Sequence, residues 1–311
     1  MKKHLLLITL LVSFLGFSQQ SYAGSYSKTK YPIVLVHGIF GWDNVLGLDH
    51  FYKVPRALER NGATVYVASV SPINSTEVRG EQLLAYVEEV LAVSGAQKVN
   101  LIGHSHGGPT TRYVASVAPE LVASVSTVAG VHWGSKIADI VRTTLEPNSP
   151  VEGLTATVAN AFTNLFELLT GSNPATTPTD SVAVLDALST AGSVAFKNDY
   201  PEGMPSAYCA NDGDMLASNG VFYFSWSGSS PYTNVFDPAD AFVGVLGLAF
   251  NEPSDGLVSA CSSHLGYVIK DNYKMNHLDE VNQTLGIHHL FETDPVTVFT
   301  QQANRLKNMG L

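Results

Sequence analysis

The 311-residue chain has few charged residues, only two cysteines, and no internal repeat or low-complexity tract. Asp, Glu, Lys and Arg make up 14% of it, and 27 acidic against 17 basic residues give a formal net charge of −10. Because an acidic surface repels phosphate backbones, this composition argues against a nucleic-acid partner. Hydrophobic residues make up 45% of the chain, which is ample for a large core and leaves apolar surface for an apolar substrate.

Long apolar runs are absent except near the N-terminus. There, Lys2 and Lys3 precede an apolar run over residues 5–17, and small residues stand at positions 21 and 23. This pattern is typical of a secretory signal peptide cleaved after Ala23, and its apolar part is too short to span a bilayer. The sequence therefore predicts a signal peptide over 1–23, one domain over 24–311, export to the cell exterior through the periplasm, and no transmembrane anchor.

Strands and helices alternate along the first half of the chain. The predicted strands are 33–36, 64–67, 99–102 and 122–128, and the predicted helices are 52–60, 76–93 and 109–118. Repeated βαβ units indicate an α/β fold with a mostly parallel central sheet flanked by helices. A further strand is predicted over 220–228, then a loop-rich region, and a last helix over 296–307.

The segment over about 132–196 changes character and is rich in helix-forming Ala and Leu, interrupted by prolines. One apolar stripe at helical spacing comprises Leu154, Val158, Phe162, Leu165 and Leu169. Helical spacing by itself fits a helix docked on the core. The position of the segment just after the fourth strand favours a mobile helical lid instead, and both interpretations stay open.

The pentapeptide Gly103–Gly107 fits the G-x-S-x-G pattern of a serine nucleophile on a sharp strand-to-helix turn. A β-prone run precedes it and a helix-compatible run follows, so Ser105 is the candidate nucleophile. A second apolar strand, 33–36, stops at a His-Gly pair that opens a loop. In serine hydrolases of this architecture such a loop and the residue after the nucleophile donate N–H groups to the oxyanion, which here predicts Ile39 and His106.

A nucleophilic serine needs a histidine base and a carboxylate that orients it, in the chain order Ser, Asp or Glu, His. The histidines after residue 200 are His264, His277, His288 and His289, and the carboxylates before them include Asp212, Asp214, Asp237, Asp240, Glu252 and Asp255. Asp255 is favoured because Asp-Gly suits a sharp turn at a strand end. His277 is favoured because it stands on a loop, whereas the adjacent His288 and His289 could be a solvated pair.

The two cysteines, Cys209 and Cys261, belong to a chain predicted to reach an oxidising compartment. An even pair there favours a disulfide, for which only one connectivity exists. Two reduced, buried thiols are the alternative.

The chain resembles the secreted triacylglycerol lipases of Gram-negative bacteria of the Pseudomonas and Burkholderia type. The resemblance rests on the nucleophile turn and on long strings at residues 31–35, 77–84 and 305–308. It implies an α/β-hydrolase fold with a helical lid. It also implies hydrolysis of long-chain fatty acyl esters through an acyl-enzyme, with Ser105 as nucleophile, Asp255 in Asp-Gly-Leu-Val and His277 in Met-Asn-His-Leu-Asp.

The same resemblance implies one structural calcium ion beside the catalytic histidine. Its ligands would be the side chains of Asp237 and Asp279 and the backbone carbonyls of Gln283 and Ile287, oxygen donors that suit this hard cation. The family disulfide falls on the same two cysteines. A triglyceride at a lipid–water interface, a membrane-anchored folding chaperone and secretion machinery are the implied partners, and a monomer is expected.

Two rival functions stay open: a short-chain carboxylesterase or acyltransferase with the same triad, and a non-catalytic binding protein on a hydrolase scaffold. The second would normally lack one member of the triad, whereas this chain has all three.

Overall fold

One parallel sheet of six strands positions the site. The computed structural model describes residues 24–39, 41, 49–144, 153–170 and 181–311. The strands are β1 Ile33–Val36, β2 Val65–Ala68, β3 Val99–His104, β4 Val122–Val128, β5 Phe222–Gly228 and β6 Tyr267–Tyr273. Their order is β2-β1-β3-β4-β5-β6, and every neighbouring pair is parallel. The predicted parallel sheet is confirmed.

Helices connect these strands and cover both faces of the sheet. They are α1 Val54–Arg60, α2 Thr76–Ser94, α3 Gly107–Val117, α4 Lys136–Thr144, α5 Gly153–Thr170, α6 Ser181–Leu188, α7 Thr190–Asp199, α8 Asp240–Gly247 and α9 Pro295–Asn308. Helix α2 begins at the predicted residue, Thr76, where the hydroxyl of the N-cap residue Ser75 accepts the N–H of Val78 at 3.3 Å. The elements predicted from the sequence have their ends within two residues of the observed ones.

The sequence predicts only loops between residue 228 and the last helix, but this region contains α8 and β6. Strand β6 lies at the edge of the sheet and most of its residues are partly or fully exposed. Its polar centre, Lys270 to Asn272, therefore lacks the continuous apolar run that identifies a buried strand such as β3. Sequence periodicity alone could not separate it from a loop.

Two apolar layers enclose the sheet. On one side, residues of β1 such as Ile33 and Leu35 pack with α1 and with Phe299 of α9. On the other, Val34 and Val36 pack with residues of α2 and α3. Since all strands run in the same direction, their carboxyl ends meet at one edge, where parallel α/β sheets carry their sites.

The apolar stripe of α5 is largely buried. Val158 and Leu165 are fully buried, Phe162 packs against them from the rim of the same cluster, and Leu154 is exposed. The side chain of Leu169 lies outside the described residues.

This buried cluster includes residues next to the predicted catalytic groups, among them Ile39, Leu257 and Leu278. The insertion therefore lies over the edge of the sheet where the site is expected. A closed lid and a docked core helix would both bury the stripe, so the division of the chain into a domain and a lid remains a prediction.

Among the described helices, none is both long and apolar enough to cross a membrane. The predicted signal peptide, residues 1–23, lies outside the described residues. Cys209 and Cys261 are joined in a disulfide, and no cysteine is left unpaired in the chain.

Candidate active site

Ser105 occupies the sharp turn between the end of β3 and the start of α3. Its φ of +56° lies in the left-handed region, which non-glycine residues rarely adopt. Its N–H donates to the carbonyl of Val128 at 2.9 Å, and its side chain is almost entirely buried. A strained backbone held by the neighbouring strand is the geometry that presents a serine nucleophile above a parallel sheet.

The glycines around this turn are required by close backbone approach. A Cβ on Gly103 would lie 2.2 Å from the carbonyl oxygen of Gly107, and one on Gly107 would lie 2.2 Å from that of Val36. A Cβ on Gly38 would lie 2.7 Å from the Cβ of Ser105. The loop after β1 therefore packs directly against the candidate nucleophile, as the sequence predicts.

Asp255 and His277 form a fully buried pair. Asp255 lies in the loop before β6, His277 lies four residues after the end of β6, and the His277 Nδ1–H donates to Asp255 Oδ2 at 2.7 Å. Asp255 Oδ1 accepts the N–H groups of Leu257 at 2.9 Å and Val258 at 2.7 Å. Because the carboxylate fixes the proton on Nδ1, Nε2 is left as the basic nitrogen, and it has no hydrogen-bond partner among the described residues.

The other candidate histidines and carboxylates have different partners. His264 pairs with Asp271 at 3.0 Å, an aspartate that the sequence did not single out. His288 Nδ1 bonds the carbonyl of Gly286 at 3.0 Å, and Glu252 accepts the hydroxyl of Tyr208 at 2.5 Å. Of the candidates, only Asp255 and His277 pair with each other.

His104 holds the backbone of His277 and was missed by the sequence reasoning. Its Nε2–H donates to the carbonyl of His277 at 3.0 Å, and the two rings lie 4.5 Å apart. Burial, with the nearby charges of His277 and His50, keeps the pKa of His104 well below its usual value, so the ring is neutral. Its Nδ1 must then accept, and His50 Nε2–H donates to it at 3.0 Å. The only sequence signal was its position beside Ser105.

Ile39 and His106 are the two predicted oxyanion donors. Neither Ile39 nor His106 donates its backbone N–H to another described backbone group. The side chain of His106 is held by the hydroxyl of Thr76 at 3.0 Å.

A buried arginine, Arg79, supports the loop that carries Ile39. Its guanidinium donates to the carbonyls of His37 and Ser71, each at 2.5 Å, and to the hydroxyl of Thr110 at 3.1 Å. Burial lowers the pKa of Arg79 to about 9, so it remains charged at neutral pH. It lies within one of the strings that carry the resemblance, but its contact with the oxyanion loop has no local signature.

Glu280 is a second buried carboxyl group beside the pair of Asp255 and His277. Its Oε1 accepts the N–H of Gly228 at 2.5 Å. Burial, and then the charge of Asp255, raise the pKa of Glu280 well above its usual value. Burial therefore favours the protonated form of Glu280.

Three buried aspartates gather next to His277. Carboxylate oxygens of Asp237, Asp240 and Asp279 lie within 4.8 Å of one another. Asp237 Oδ2 and Asp279 Oδ1 have no hydrogen-bond partner among the described residues. Burial raises the pKa of Asp237 to about 6 and that of Asp279 to about 8. Two orphaned, buried carboxylate oxygens fit a hard divalent cation, which would offset their desolvation.

Asp240 has another part in this cluster. Its Oδ2 accepts the N–H groups of Thr233 and Asn234, both at 2.6 Å, and its Oδ1 accepts Asn276 Nδ2–H at 2.5 Å. Asp240 therefore ties the loop bearing Asp237 to the residue preceding His277.

The two predicted carbonyl ligands of the calcium ion, Gln283 and Ile287, lie in the segment after Asp279. There, the Gln283 N–H donates to the carbonyl of Leu278 at 3.0 Å and Ile287 is half-buried.

Comparison with known proteins shows the family to which the chain belongs. The family described as the alpha/beta hydrolase fold matches residues 31–281. A triacylglycerol lipase of Vibrio cholerae serotype O1 is 53% identical to the chain, covering 98% of it and 99% of the relative. A triacylglycerol lipase of Burkholderia plantarii is 40% identical, covering 93% of the chain and 89% of the relative. The chain belongs to the bacterial lipases of the α/β-hydrolase family.

A solved structure agrees with the fold of this lipase family member. The mature form of the Bacillus licheniformis lipase BlEst2 matches with a TM-score of 0.60, covering 90% of the chain and 93% of that structure. At 19% identity this likeness concerns the fold alone. The predicted α/β-hydrolase fold and the predicted family are both confirmed.

Proposed function

We propose that this protein is a secreted triacylglycerol lipase that hydrolyses long-chain fatty acyl esters through Ser105, His277 and Asp255. The observation that carries the proposal is the buried 2.7 Å contact of Asp255 with His277, with Nε2 unpartnered among the described residues, in a fold that places Ser105 on a strained turn. The relatives named triacylglycerol lipase support the substrate class.

In the proposed reaction, His277 Nε2 removes the proton of Ser105 as Oγ attacks the ester carbonyl. Asp255 stabilises the imidazolium, which then protonates the leaving alcohol. The N–H groups of Ile39 and His106 bind the oxyanion, each contributing about 3–4 kcal/mol by analogy with other serine hydrolases. Water, activated by His277, releases the fatty acid from Ser105.

The insertion over about 132–196 would act as a lid. Its stripe buries Val158 and Leu165 against residues that adjoin the candidate oxyanion and acid loops. Opening would expose this apolar lining to a lipid surface, which favours long acyl chains over soluble esters.

Several features support an exported, calcium-dependent enzyme. The predicted signal peptide and the Cys209–Cys261 disulfide suit an oxidising environment.

One calcium ion would be held by the side chains of Asp237 and Asp279 and by the carbonyls of Gln283 and Ile287. When bound it would supply structural charge compensation, while the chemistry stays with the triad. A folding chaperone, secretion machinery and a monomeric enzyme follow from the family resemblance.

A chain-length series of p-nitrophenyl esters beside emulsified triglyceride tests the function. The wild-type protein should turn over long-chain esters and show higher activity on the emulsion. Ser105→Ala and His277→Ala should each lower hydrolysis by several powers of ten with the fold intact. His289→Ala is the matched control and should stay close to wild type. Near-full activity of Ser105→Ala would contradict the mechanism, and activity confined to short soluble esters would indicate a carboxylesterase.

A further inference from the structure

Two loops around the aspartate cluster expose large apolar side chains. Val235 and Phe236 precede Asp237 and are 72% and 81% exposed. Leu290 and Phe291, in the second loop, are 78% and 92% exposed. Soluble proteins expose single apolar residues routinely, but four large ones on two neighbouring loops mark an interaction surface.

Hydrogen bonds hold the two loops side by side. Asn234 Nδ2–H donates to the carbonyl of His288 at 2.9 Å. The hydroxyl of Thr233 donates to Asp279 Oδ2 at 2.6 Å. Val235 is the residue after Asn234, and Leu290 lies two residues after His288. Both apolar pairs therefore lie close to the hydrogen bond that joins the two loops. We call Val235, Phe236, Leu290 and Phe291 the aspartate-loop surface.

The two chain segments that carry this surface contain almost no charge. Between residues 231 and 250 the only charged residues are Asp237 and Asp240, and both are buried. Between residues 281 and 291 there is no Asp, Glu, Lys or Arg. In a chain with a formal charge of −10, these two segments present no exposed carboxylate. Beyond them, Glu292 directly follows Phe291 and pairs with Lys270 at 3.7 Å, and Asp294 is exposed. The two segments themselves can therefore approach a lipid layer with little repulsion or desolvation of charge.

The aspartate-loop surface also adjoins the predicted lid. Asp240 begins α8, and Val243 and Leu246 of that helix share one apolar cluster with Val158 and Leu165 of α5. A lipid layer touching the aspartate loops would thus lie beside the insertion that covers the site.

We propose that the aspartate-loop surface is an adsorption site for the lipid–water interface, separate from the lid. Val235, Phe236, Leu290 and Phe291 leave water on contact with lipid, and the structure around the aspartate cluster fixes their spacing. This inference rests on the proposed lipase function. It places the interface on the His277 side of the active site.

Adsorption to a phosphatidylcholine-stabilised triolein emulsion, measured by flotation in the inactive Ser105→Ala background, tests this proposal. Val235→Ser with Phe236→Ser, and Leu290→Ser with Phe291→Ser, should each weaken partitioning by about tenfold. Val93→Ser with Val117→Ser is the matched control. Both control residues are exposed valines at the C-terminal ends of α2 and α3, at the opposite edge of the sheet, and should leave adsorption unchanged.

Hydrolysis of p-nitrophenyl butyrate by the same variants with Ser105 restored should be unchanged, which checks the fold. If a double variant is unstable, Phe291→Trp gives a second measurement. Its added fluorescence should be quenched by brominated phosphatidylcholine in the emulsion, beyond the quenching of its Ser105→Ala parent.

Each outcome decides a different statement. Equal adsorption by the parent and both double variants, or an unquenched Phe291→Trp signal, overturns the adsorption site. Loss of self-association in light scattering with unchanged adsorption overturns it in favour of a contact between two copies. A parent protein that hydrolyses soluble esters but never adsorbs to triolein contradicts the proposed substrate class instead.

Discussion

Protons and calcium should compete for the buried aspartates, and Asp279 gives the clearest test. Burial raises its pKa from 3.8 to about 8, so in the metal-free folded protein Asp279 is mostly protonated at neutral pH. A calcium ion needs the carboxylate. We therefore expect calcium binding at pH 7 to release about one proton from Asp279 and its affinity to weaken as the pH falls.

The same shift sets how the stability of the metal-free protein depends on pH. Between pH 3.8 and about 8 the folded state holds a proton on Asp279 that the unfolded state has lost. The free energy of unfolding changes with pH in proportion to the protons bound in the unfolded state minus those bound in the folded state. Because this difference is negative here, stability falls as the pH rises. From pH 3.8 to pH 7 this amounts to about 4 kcal/mol, at 1.36 kcal/mol per pH unit.

Urea unfolding of the chelator-treated protein between about pH 5 and pH 8 measures this effect. The metal-free protein should lose stability with rising pH, and saturating calcium should flatten the dependence. Calorimetric titration in buffers of different ionisation enthalpy counts the released protons. Asp279→Asn, which imitates the protonated carboxyl, should abolish calcium binding and stabilise the metal-free protein at pH 8. It should remove the contribution of Asp279 to the pH dependence and leave those of Asp237 and Glu280, whose pKa values burial also raises.

Asp214→Asn is the matched control, because Asp214 is exposed and lies outside the cluster. It should preserve both calcium binding and the pH dependence. Proton release near zero at pH 7, or metal-free stability that does not change between pH 5 and pH 8, would refute the assignment of a protonated, buried Asp279. The absence of any calcium binding would contradict the proposed calcium site.

Three further predictions concern groups around the candidate triad and the predicted lid. His104→Leu should lower kcat on a soluble ester by about tenfold with little change in KM, because the buried carbonyl of His277 loses its donor; an unchanged kcat would contradict this positioning role. Glu280→Gln should leave the pH profile of kcat/KM close to wild type, because the neutral amide resembles the protonated acid, whereas a large loss would mean that the ionised form is required. Phe162→Ser should depress turnover of emulsified triglyceride more than that of a soluble ester. Equal losses together with a lower melting temperature would indicate a docked core helix.

The central sheet could be predicted because its buried strands are continuous apolar runs. β1 and β3 are completely buried, and β4 was predicted with the boundaries that the structure shows. Edge strand β6 escaped because half-exposed residues such as Lys270 and Asp271 interrupt the apolar pattern. A parallel sheet is thus most legible where both of its faces are covered.

The candidate triad could be predicted because each member stands in a local pattern: the glycine-flanked Ser105, the Asp-Gly turn at Asp255 and the loop around His277. The residues that hold them could not. Arg79 and His104 act on backbone carbonyls that lie 42 and 173 positions away in the chain. Such contacts depend on the packing of segments that are distant in the chain, so no short sequence motif predicts them.

The backbone of His277 is held from three separate directions. Its N–H donates to the carbonyl of Asp255 at 3.0 Å, its carbonyl accepts His104 at 3.0 Å, and the neighbouring Asn276 donates to Asp240 at 2.5 Å. These supports come from the acid loop, the end of β3 and the aspartate cluster. A change in the aspartate cluster therefore affects His277 through the position of its backbone. The 2.7 Å contact between the His277 side chain and Asp255 depends on the acid loop instead. For this reason loss of calcium should first reduce the heat resistance of activity and leave the chemical step at low temperature nearly intact.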